Sequence, residues 1–131
     1  MNFKNLMIIK ALVCIFFGVL MLAIPGILFS IFGATLTDAG MFPAREYGSA
    51  LIGMTCLCWI GRNATESTAI KAIIVALFVY DLVAFIMTTI TVIYGVLNVL
   101  GWFIVFVYLF FALGFGYYLN KPIPEKANSL K

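Results

Sequence analysis

The sequence predicts an all-α membrane protein, a bundle of four transmembrane helices with antiparallel neighbours, and two observations carry that class. The first is composition: 65% of residues are hydrophobic and 10% are charged, with a mean hydropathy of +1.17, whereas soluble domains carry about 25% charge. A water-soluble fold of 131 residues has no interior large enough to hide that much apolar surface. The second is where the charges fall. None lies between Lys10 and Asp38, between Glu46 and Arg62, or between Asp81 and Lys121. Gaps of that length suit a hydrocarbon core about 30 Å thick, which a helix crosses with roughly 20 apolar residues. No run of alternating apolar and polar residues supports a β-barrel.

The first helix is expected over about 6–24, ending at "IPG", where Pro25 removes a backbone donor and Gly26 loosens the chain. The following stretch, 26–33, is apolar but too short to cross, so it reads as a short interfacial segment with Ile27, Leu28 and Ile31 turned toward apolar surroundings. Pro43 suits the first turn of a second helix over about 44–61. That helix ends at the polar loop "GRNATES". The third helix starts near Ser67 or Thr68, either of which can cap its exposed amides, and runs to about 94. Gly95, Asn98 and Gly101 mark a tight hairpin, after which the fourth helix covers about 99–119. Residues 1–120 therefore form one transmembrane domain, and 121–131 form a soluble tail.

With four spans, Lys4, Lys10, Arg62, Lys71, Lys121, Lys126 and Lys131 collect on one side and Arg45 stands alone on the other. The positive-inside bias then places both termini in the cytoplasm, with the chain a multi-pass protein of the plasma or inner membrane. The N-terminal segment has the basic start and apolar core of a secretory signal, but Lys10 interrupts the core and no small-residue cleavage site follows, so the segment reads as a retained span.

Reaction chemistry is sparse. The chain has no His, which removes the commonest metal ligand and general base. Cys56 and Cys58 lie about 200° apart on a helix and cannot face one site; together with Cys14 they read as small packing residues. No phosphate loop, nucleophile elbow or carboxylate pair appears, so the expectation is a non-enzyme with no metal and no cofactor. The net charge of +3 belongs to loops and tail, which argues against nucleic acid as a partner. The expected partners are the lipid bilayer, further copies of the chain, or a larger membrane complex.

Asp81 is the exception, a carboxylate in the middle of "ALFVYDLVAFIMTTI". An acid at the centre of a span costs about 2.5–3.5 kcal/mol on insertion scales, so it should face the bundle with a partner. Counting heights from aligned inner helix ends gives Arg45 as that partner and puts Lys10 near the inner surface. Arg45, Gly48 and Ser49 lie on one stripe of the second helix, Ser49 and Gly53 form a small-xxx-small pair for close helix approach, and Thr88 follows Asp81 at the same angular position on the third. Asp81, Arg45, Ser49 and Thr88 thus form the candidate intramembrane polar site, with an Arg45–Asp81 pair locking the second and third helices.

The run "AREYGSALIGMTCLCW", with Arg45, Gly48, Leu51 and Gly53, resembles the Arg-x-x-Gly-x-x-Leu-x-Gly stretch of DoxX-like and related small four-helix membrane proteins. The resemblance implies a four-helix bundle and an association of some relatives with quinone-linked or redox membrane complexes. Two functions follow as expectations. The first is a non-catalytic accessory, structural or self-associating membrane component; the alternative is a binder or carrier of a lipid, quinone or proton-linked substrate in a cavity near Asp81.

Overall fold

The computed structural model describes residues 1–121, and their regular elements are five helices: α1 Phe3–Ala23, α2 Pro25–Ile31, α3 Asp38–Gly61, α4 Ser67–Ile93 and α5 Gly101–Leu119. Beyond Lys121 the predicted soluble tail lies outside the described residues. Three of these helices, α1, α4 and α5, are long and apolar enough to cross a membrane.

Each helix starts where its sequence can satisfy the first amides. Asn2 accepts from the Lys4 N–H (3.2 Å) and opens α1 ahead of the predicted start at residue 6. Pro25, which lacks a donor, opens α2, so the predicted interfacial segment is a helix of its own. The α3 helix begins at Asp38 rather than Ala44: Thr37 accepts from the Gly40 N–H (3.3 Å), and Asp38 places a negative charge in the first turn. Pro43 therefore sits inside α3, where the carbonyl it leaves unpaired belongs to exposed Ala39. The α4 cap is neither Ser67 nor Thr68 but Glu66, whose carboxylate accepts from the amides of Thr68 (2.8 Å) and Ala69 (2.5 Å). Those amides hold the Glu66 carboxyl below the usual carboxylate range. Gly33 (φ 81°) and Gly95 (φ 73°) take left-handed turns after α2 and α4.

The closest-packed partners are α1 with α3 and α4 with α5. In the first pair the backbones meet at Gly18 and Gly48: a Cβ on Gly48 would stand 3.0 Å from the Gly18 carbonyl oxygen and 3.1 Å from the Leu22 amide nitrogen. The predicted Ser49 and Gly53 pair does not make this crossing. Ser49 is exposed and returns its hydroxyl to the Arg45 carbonyl (3.1 Å), and Gly53 has nothing within 4 Å of an added Cβ. In the second pair, the antiparallel return places Gly101 against Val92 and Gly116 against Phe78.

The two pairs meet through a core of Leu6, Met7, Ala11, Cys58, Leu77, Phe111 and Phe115. Gly61 at the end of α3 packs on both Met7 and Ile73, so the first turns of α4 extend about 9 Å beyond the end of α3. Outward faces are apolar: on α4 alone Val79, Val83, Ile86, Met87 and Ile93 are exposed. A Leu or Val facing outward along a whole helix is what lipid contact requires and water disfavours.

Candidate functional site

The overhang of α4 decides Asp81's partner. It brings Asp81 within reach of the Lys10 side chain, whose ammonium contacts Asp81 Oδ1 in a buried ion pair between α1 and α4. Lys10 is 2% exposed and Asp81 is fully buried. The expected Arg45–Asp81 pair is not formed. Gly48 faces α1 and Tyr47 reaches α4 and α5, and at about 100° per residue Arg45 stands roughly 200° from Tyr47, which turns it outward, where it is exposed.

Aromatic rings surround the lysine. Its nitrogen lies 4.4 Å from the Phe111 ring centre, 4.9 Å from Tyr80 and 5.9 Å from Tyr108. Ring faces of this kind attract a desolvated cation and offset part of its lost hydration. Asp81 is less completely served, because its Oδ2 is buried with no hydrogen-bond partner among the described residues. A pair of this type is tolerated in an apolar interior only with both partners present.

Beside the pair lies a second polar group that links the two helix pairs. The Tyr47 hydroxyl of α3 contacts the Tyr80 hydroxyl of α4 and, at 2.8 Å, the Tyr108 hydroxyl of α5. The Tyr80 and Tyr108 rings meet edge to face, 6.1 Å between centres.

Above this floor a cavity of about 200 Å³ opens between the two helix pairs. Its wall includes Val13, Cys14, Phe17 and Met21 of α1, Leu51 of α3, Thr88 of α4, and Ile104 and Val107 of α5. Leu28 and Phe29 of α2, with Phe32 and Leu97, close the far end. That roof is tied in place by Asn98, whose amide side chain donates to the Ile31 carbonyl (2.9 Å) and whose backbone N–H donates to the Phe32 carbonyl (2.8 Å).

Of the four residues expected at a polar site, Asp81 lies at the floor and Thr88 on the wall, while Arg45 and Ser49 lie on the outer surface of α3. Lys10, Tyr47, Tyr80 and Tyr108 complete the site. A signal for the tyrosines was present: Tyr94, Tyr117 and Tyr118 sit at helix ends, but Tyr47, Tyr80 and Tyr108 lie well inside helices, where each hydroxyl needs a partner. Two of the three cysteines, Cys14 and Cys58, are buried and Cys56 is exposed, with all three thiols free. Among the described residues, no group of His, Cys, Asp or Glu could hold a metal ion. No family model, curated protein or solved structure matches the chain.

Proposed function

We propose that this chain is a four-span, non-catalytic membrane protein that holds a small lipophilic molecule between its two helix pairs. The cavity carries the proposal: its walls are mostly aliphatic and aromatic, and a few polar groups, the three tyrosine hydroxyls and that of Thr88 among them, stand in its lining, which is the usual construction of a small-molecule site. The three apolar helices supply three spans. The fourth is α3, which lies antiparallel along α1 from the Gly61–Met7 contact to the Gly18–Gly48 crossing and is about 36 Å long. Its charges, Asp38, Arg45 and Glu46, are confined to its first turns, at the bilayer surface in this reading. The basic residues outside the helix interiors then mark the cytoplasmic side.

Accessory or self-associating roles have one supporting observation, the small outward face of Ser49 and Gly53 on α3. That face is an uncovered helix surface, whereas the cavity is a concave volume between the helix pairs with polar groups in its lining. The experiment is to fill the cavity. Val107→Phe inserts a ring into the wall, and the variant is expected to fold in detergent but to bind a ten-carbon lipophile such as 2-decanone at least about tenfold more weakly than the natural protein. Unchanged binding by the folded variant would mean that the lipophile sits elsewhere.

A further inference from the structure

We infer that the molecule this cavity takes is a neutral, chain-like amphiphile bearing one hydrogen-bond-accepting oxygen, its head on the tyrosine floor and its hydrocarbon toward α2. The inference rests on the cavity reading above and adds the chemistry of the ligand.

Three features of the site select that class. The first is a proton count. Three hydroxyls, those of Tyr47, Tyr80 and Tyr108, own three hydrogens, and the two contacts among them use two. Whichever way the contacts run, one hydroxyl hydrogen stays unshared. All three residues line the cavity. An unshared donor in an apolar enclosure favours an acceptor: a ketone, ester, ether or alcohol oxygen meets it and an alkane leaves it unsatisfied.

The second feature is charge. Lys10 also lines the floor, but its ammonium is already matched by Asp81, so the site is formally neutral. A carboxylate or ammonium ligand would bring an unmatched charge into low dielectric. Shape is the third feature. On α1 the wall runs from Lys10 to Met21, about 16 Å along the helix axis, while the volume is only about 200 Å³. A cavity of about 150 Å³ accepts benzene, so this one admits a molecule of modest size, and its length favours a chain over fused rings.

The test is a competition series on the detergent-purified full chain at pH 8 with ten-carbon probes, against tritiated 2-decanone. Decan-1-ol should compete within about threefold of 2-decanone, decane about tenfold more weakly, and decanoate and decylammonium not measurably. The triple variant Tyr47→Phe, Tyr80→Phe, Tyr108→Phe keeps the shape, removes the three tyrosine hydroxyls and leaves that of Thr88 on the wall, and should lose at least about threefold of the preference for ketone over alkane while still binding decane. Should decane match 2-decanone in the natural protein, or a charged probe match it, the ligand class is wrong and the cavity reading stands. If no probe binds saturably, both fall. The natural protein's probe series decides the class even if the triple variant does not fold.

Discussion

Lys10 is the residue on which the interior turns, because it belongs at once to an ion pair, to a ring-lined pocket and to the cavity floor. Deleting one member of a buried pair strands the other's charge, at about 3–5 kcal/mol, while replacing both with apolar groups of similar volume is often near neutral. Lys10→Met and Asp81→Leu should each lower the stability of the detergent-solubilised protein by about that amount, and the double variant should recover most of the loss. Arg45→Met should stay within about 0.5 kcal/mol of the natural protein, since its side chain is exposed and outside the pair. Chemical denaturation of all four variants in one detergent gives the coupling. Asp81 stood out in the sequence because an acid in so apolar a helix requires a partner, and the structure gives it one in Lys10. That partner was not legible in the sequence, because heights counted from aligned helix ends ignore the overhang of α4, and only packing reveals that offset.

At the scale of elements, charge gaps and breakers located each helix to within about three residues except the start of α3, which lies at Asp38 and not at the expected Ala44, and they misjudged the capping residues. Thr37 and Glu66 cap with side chains three residues or fewer from the amides they serve; beside Glu66, Ser67 and Thr68 looked equally able, and at α3 Pro43 drew the expected start inward. Which glycine marks a helix crossing was likewise hidden, since Gly48 and Gly53 share similar surroundings in sequence. The structure separates them. A methyl on Gly48 meets backbone atoms of α1 that have no rotamer to yield, so Gly48→Ala should destabilise by about 1–3 kcal/mol. Gly53→Ala meets open space and should be neutral or stabilise by up to about 1 kcal/mol through helix propensity. Melting curves of the two variants side by side check the assignment, and equal losses would place the crossing elsewhere.

For the whole molecule, the division into two helix pairs explains how so apolar a chain keeps a defined interior. The α1 and α3 pair and the α4 and α5 pair are each tightly packed, but they face one another across longer side chains, leaving room for the cavity and for the polar contacts that bridge it. The all-helical class and the apolar spans followed from composition; the pairing did not, because it depends on which faces interlock. One consequence bears on the proposed orientation: with Lys10 buried in the core, the four-span reading rests on Lys4, Arg62, Lys71 and Lys121 among the described residues. The cavity lies within the bilayer only if α3 crosses it. Single cysteines at positions 38, 63 and 98, in a background with Cys14, Cys56 and Cys58 replaced by Ala, report this directly through a membrane-impermeant thiol reagent on intact cells. We expect positions 38 and 98 to label from outside and position 63 to label only after permeabilisation; labelling of position 63 together with 38 in intact cells would show that α3 does not span and would contradict the four-span bundle.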